Sequence, residues 1–137
     1  MIILPESEYE LFIRTDFSNT SVWEEICTKV NDNELGIPPM VTFIDDKQFN
    51  ELKPENLPRF NVDQLKHTFA FLIDKESILN HEHPILCVDL NDEYGKSFRV
   101  LPSEICSVAA NLGLANMDFF EFSDNVDNDG IFRGFKP

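Results

Sequence analysis

Residues 9–44 read YELFIRTDFSNTSVWEEICTKVNDNELGIPPMVTFI, and this stretch orders a strand, a helix and a second strand. Tyr9 to Thr15 is rich in strand formers. From Ser18 to Val30 the apolar positions Val22, Trp23, Ile26 and Val30 recur at helical spacing, and Ser18 or Thr20 is suited to cap the start. Asn31 to Pro39 gathers Asn, Asp, Gly and two prolines, which end the helix and lead into a strand over Met40 to Ile44. A right-handed crossover is expected to lay the two strands parallel.

Beyond Asp45-Asp46, Lys47 to Leu52 reads as a short helical or irregular segment, followed by a loop with Pro54 and Pro58, then Val62 to Lys66. Residues 47–67 carry no periodicity that orders the sheet. Thr68 to Ile73 is a continuous apolar strand. Ile85 to Leu90 and Lys96 to Leu101 flank Asn91-Asp92-Glu93-Tyr94-Gly95, a hairpin in which Gly95 takes a positive φ. Pro102-Ser103-Glu104 opens a helix through Leu112, with Ile105, Val108, Ala109 and Leu112 on one face and Gly113 as its cap. Asn116 is the expected N-cap of a last helix, Met117 to Val126. The whole predicts one α/β domain over 1–137: a mixed sheet with an N-terminal βαβ unit, a β-hairpin and two C-terminal helices, with Phe12, Phe43, Phe71, Val88 and Phe98 on strands.

Charge narrows the partners. Lys and Arg total 11 against 25 Asp and Glu, a formal net charge of -14, so the mean field repels phosphate backbones and anionic headgroups and attracts cationic proteins. Nucleic acid and membrane are therefore excluded as expected partners. Met1 to Glu6 has no basic segment and too short an apolar run for a signal peptide, and Cys27, Cys87 and Cys106 are odd in number and set in apolar stretches. Together these place the chain in a cytoplasm, with structural thiols.

The segments Phe12-Ile13-Arg14-Thr15-Asp16-Phe17 with Trp23, and Leu114-Ala115-Asn116-Met117-Asp118-Phe119 with Gly130-Ile131-Phe132-Arg133-Gly134-Phe135, resemble an uncharacterised bacterial α/β domain family. The resemblance implies the fold and transfers no catalytic residue, because the family has no established activity.

Three strand endings carry the candidate chemistry: Arg14-Thr15-Asp16, Asp45-Asp46 and Asp74-Lys75. On parallel strands, Asp16, Asp45, Asp46 and Asp74 gather at one sheet edge. There they could assist catalysis through Mg²⁺ or raise one another's pKa, with Arg14 steering an anionic group. The plainer reading is that Asp ends strands and caps helices. Asn125 to Gly130 imitates the start of a Ca²⁺ loop, but Lys136 stands where the bidentate Glu belongs, so a turn before a terminal strand is expected. His81-Glu82-His83 has no further ligand at zinc-like spacing and reads as a solvated loop. The chain has no Gly-x-Ser-x-Gly elbow and no phosphate-binding glycine motif, and Trp23 with the C-terminal phenylalanines reads as core.

No catalytic residue, metal site or cofactor is expected. The function these features favour is an acidic protein-binding module. In its most concrete form it is a bacterial immunity or inhibitor protein covering the basic cleft of a toxin, for instance a nuclease. Asp45, Asp46 and Glu51 are its first contact candidates. The rivals are the metal-assisted enzyme built on the strand-end aspartates and a housekeeping domain acting as a homo-oligomer.

Overall fold

Apolar side chains at three successive positions leave both faces of strand β1 (Glu10–Arg14) in need of cover, and Leu11, Phe12 and Ile13 are fully buried. Such a strand belongs in the interior of a sheet. In the computed structural model, which describes residues 4–60 and 67–135, β1 pairs in parallel with β2 (Val41–Ile44) on one side and with β3 (Phe69–Ile73) on the other. β4 (Ile85–Asp89) and β5 (Ser97–Val100) continue the sheet antiparallel, and β6 (Ile131–Phe132) closes it parallel to β5. The order is β2-β1-β3-β4-β5-β6. The expected mixed sheet, βαβ unit and hairpin are all present, and Val62 to Lys66 lies outside the described residues.

Helix α1 (Thr20–Asn31) follows β1, capped by neither Ser18 nor Thr20. Asn19, extended at φ -148, accepts the Val22 N–H at 3.1 Å. The two hydroxyls are engaged elsewhere: Ser18 donates to Asp16, and Thr20 Oγ1 accepts from Arg14 at 2.9 Å. Helix α2 (Lys75–Leu79) is capped by Asp74 through a reciprocal bond with Ser77.

After a 3-10 turn at Pro102–Glu104, helix α3 runs Ile105–Gly113. Gly113 is its last residue rather than its cap; the left-handed position falls at Ala115, φ 56. The Asn116 and Met117 N–H groups fold back onto the Asn111 carbonyl, so Asn116 lies in the turn that follows α3 and is not the N-cap of the next helix. Helix α4 is correspondingly short, Phe119–Ser123, with a capping box between Asp118 and Glu121.

The pleat sorts the core into two layers. Phe12, Phe71, Cys87 and Phe98 meet Trp23 and Ile26 of α1, Ile78 of α2, Ile105 and Val108 of α3, and Phe122 of α4. Leu11, Ile13, Ala70, Leu72 and Val88 point the other way, onto Leu4, Phe49, Leu57 and Leu90. One face is thus covered by helices; the other is covered by the N-terminal segment and the 3-10 turns at Lys47–Phe49 and Pro54–Phe60. Phe43 lies on β2 as expected, half-buried against Phe12, with ring centroids 5.1 Å apart.

The Phe12 ring packs between strand and helix against Trp23, Phe43 and Phe71. Phe12→Ala should lower the free energy of unfolding by about 3–5 kcal/mol, read from urea titrations. A loss under about 1 kcal/mol would contradict the packing described.

Candidate functional site

Because β1, β2 and β3 are parallel, Arg14, Asp45 and Asp74 leave the sheet at the same edge. There the candidates part company. The Arg14 guanidinium is nearly buried and meets the Asp45 carboxylate at 3.3 Å, the Thr20 hydroxyl at 2.9 Å and the Asp16 carbonyl at 3.4 Å. It also lies 4.5 Å from the Phe17 ring centroid and 5.8 Å from that of Trp23, so its charge is held on aromatic faces as well. Every strong partner of Arg14 is therefore already in place, which argues against its steering a ligand.

The carboxylates are likewise engaged. Asp16 accepts from the Ser18 N–H at 2.9 Å, and Asp46 accepts from the Gln48 N–H at 3.0 Å, capping the 3-10 turn. Asp74 points away from Asp45, into a two-pronged pair with Arg99 at 2.7 Å for each bond. Burial raises the Asp74 pKa, but the Arg99 hydrogen bonds and charge outweigh it, and the group titrates below its ordinary 3.8. The structure thus joins Arg14 to Asp45, gives Asp46 a local capping role, and joins Asp74 to Arg99 across the sheet instead. Among the described residues no group of three His, Cys, Asp or Glu side chains is placed to hold a metal ion. The Cys27 thiol lies within the field of both Arg14 and Asp45; burial, then the Asp45 charge, push it up to about 12.

Glu51 has a different standing. Its backbone is left-handed, φ 62, and its N–H donates to the Thr15 carbonyl at 2.8 Å, while Thr15 is bound in turn to the Ile73 carbonyl. A non-glycine residue in that region costs roughly 1–3 kcal/mol and persists only where its surroundings fix it. The loop that carries Asp45, Asp46 and Glu51 is therefore pinned to the ends of β1 and β3, with all three side chains exposed.

The remaining motifs resolve as scaffold. Asp127 accepts the Asp129 and Ile131 N–H groups at 2.9 Å each and the Arg133 Nε–H at 2.6 Å, so the sequence that resembles a Ca²⁺ loop is a turn into β6. Its twelfth position, Lys136, lies outside the described residues. Arg133 also grips Glu82 at 2.6 and 3.0 Å. His83, expected in a solvated loop, is buried, donating from Nδ1 to the Ser77 carbonyl at 2.9 Å.

A second acidic surface, which the strand-end reading missed, lies at the other end of β3. In the register Phe69 faces Asp89, four residues from Ile73, and a groove of about 640 Å³ opens there. Phe69, Met117, Phe119 and Phe120 supply its apolar lining; Asp92 and Asp124 are among the carboxylates on its rim. Asp89 is buried, accepting the Asn91 and Glu93 N–H groups at 2.9 Å each, and so it shapes the hairpin that forms one wall.

A family model matches residues 9–135, from the strand β1 to beyond β6. The chain belongs to DUF6924, a domain family of unknown function. The match takes in both acidic surfaces, and a comparison with curated proteins finds no match. The resemblance to an uncharacterised α/β family is thereby met for this DUF6924 domain. Among the described residues no helix is long and apolar enough to cross a membrane.

Two outcomes follow for the strand-end edge. The rate of Cys27 alkylation by iodoacetamide should keep rising with pH well past 9, as a thiol of pKa about 12 requires; a plateau near pH 8 would show a reactive thiolate. Asp74 has a lowered folded pKa, so its stabilisation is complete above the unfolded value and is lost as pH falls through the folded one. Asp74→Asn should therefore be less stable than the parent at neutral pH, with the gap closing below pH 3.8. Urea midpoints against pH measure it, and a gap constant down to strong acid would refute the assignment.

Proposed function

We propose that this DUF6924 domain is an acidic protein-binding module whose partner is a cationic protein. In its most concrete form it is a bacterial, cytoplasmic immunity or inhibitor protein that covers the basic active-site cleft of a toxin, such as a nuclease. The observation that carries the reading is the pinned loop of Asp45, Asp46 and Glu51, three exposed carboxylates held by backbone bonds on a body of net charge -14. Rigid presentation lowers the ordering cost of association, and the charge raises the encounter rate with a basic surface. The strand-end aspartates support this reading better than metal-assisted catalysis, since caps and arginines engage them. Three free cysteines accord with a reducing compartment.

The three carboxylates are not equivalent test positions. Reversing Asp45 strands the Arg14 charge, and changing Asp46 removes a cap, whereas among the described residues the Glu51 carboxylate makes no hydrogen bond or ion pair. Partners captured by the immobilised domain from lysate of the source cell would be identified and purified for kinetics over a salt series. The partner should be basic, its association rate should fall steeply with added salt while dissociation changes little, and Glu51→Lys should slow association in the same sense. An association rate indifferent to salt would overturn the proposal.

A further inference from the structure

The groove beside the β4–β5 hairpin adds to exposed carboxylates what the pinned loop lacks: depth and an apolar floor. Phe69 is buried at its base, Met117 and Phe119 are half-buried, and Phe120 is 53% exposed. An exposed aromatic ring on the wall of an apolar concavity is a usual mark of an interaction surface.

The rim charge is one-sided. Lys96 is the only cation on the lining among the described residues, and Glu93 holds it at 3.1 Å. Asp118 is engaged in the capping box of α4, and Asp89 in the hairpin. Among the described residues the carboxylates of Asp92 and Asp124 have no ion-pair partner, and both are exposed. The field of the groove therefore calls for a cation, and its floor calls for hydrocarbon. A lysine or arginine side chain supplies both, since its stem lies on apolar surface while its head remains in a polar setting, and a cation over an aromatic face gains further attraction.

We infer that this groove anchors a lysine- or arginine-bearing segment of the partner, with the stem on Phe119 and Phe120 and the charged head at Asp92 and Asp124. The inference rests on the binding-module reading above and locates its anchor. A polypeptide is the occupant because a small polyamine would satisfy the carboxylates yet leave the exposed Phe120 ring on the lining in water. A nucleic acid would meet repulsion from the rim.

The test uses the ¹⁵N-labelled full chain and a blocked peptide of alternating lysine and leucine, followed by amide chemical shifts. Saturable shifts should centre on Asp92, Lys96, Phe119 and Phe120, and a lysine-acetylated copy of the peptide should produce none. Phe120→Ala and the pair Asp92→Asn with Asp124→Asn should each weaken binding about tenfold, and Glu51→Lys should leave it unchanged. Both changes alter exposed side chains, so the amide spectrum of each free variant should remain that of the folded parent. Shifts centred on Asp45, Asp46 and Glu51 would overturn the groove while leaving the binding-module reading standing. Absence of saturable shifts, or equal affinity for spermine, would overturn the polypeptide anchor; the salt dependence of partner association judges the module reading separately.

Discussion

The parallel pairing of β1 on both of its edges is the constraint from which the rest of the architecture descends. A strand with parallel neighbours on two sides cannot be reached by hairpins, so the chain must cross the sheet twice, from β1 to β2 and then from β2 over β1 to β3. The two crossings run in opposite directions across the sheet, and the right-handed rule then assigns them to opposite faces. The side chains agree: Trp23, Ile26 and Val30 of the first connection lie against Phe12, and Phe49 and Leu57 of the second lie against Leu11 and Ile13. The second crossing need not be helical to serve. A pair of 3-10 turns that delivers Phe49 and Leu57, aided by Leu4, seals that face.

The same topology explains why so many carboxylates are structural. The start of each helix or turn leaves backbone N–H groups without partners, and an adjacent Asp satisfies them at short range. Asp46, Asp74, Asp89, Asp118 and Asp127 all work in this way, at the starts of turns and helices or at the end of β4. Half-buried Asp74 takes an arginine as well, Arg99. The net charge of -14 is therefore a sum over two populations. One is bonded to the backbone or to arginine and fixes the fold. The other, including Glu51, Asp92 and Asp124, faces solvent free of such bonds among the described residues and is available to a partner.

Legibility in the sequence followed the range of the interaction. The strand–helix–strand unit, the hairpin with Gly95 at φ 86 and the terminal turn could be read because periodicity and turn chemistry are local. Helix ends were read less well where two local signals competed. Gly113 looks like a cap, but the Asn111 carbonyl draws in two later N–H groups and carries the left-handed turn to Ala115. His83 misled for another reason: its burial depends on the backbone of Ser77 and on Glu25 at 3.6 Å, neither of which an isolated His-Glu-His reveals. The gathering of strand ends was foreseen from parallel pairing, yet Asp74 turns to Arg99, 25 residues away and two strands across, which no local pattern specifies.

The groove was least legible of all, since its walls come from segments far apart in the chain. The hairpin wall depends on Asp89, which reads as one more strand residue until its carboxylate is seen to accept the N–H groups of the turn. The opposite wall depends on the shortness of α4: with Asp118 rather than Asn116 as cap, the helix begins at Phe119 and its next residue, Phe120, remains half exposed. Meanwhile Phe122, three residues after Phe119, enters the core and stacks with Phe98, with 5° between the ring planes. A single turn of helix therefore divides its phenylalanines between core and groove. The ring that anchors the fold holds the exposed ring in place, so an aromatic contact can be presented to a partner without first ordering a flexible loop.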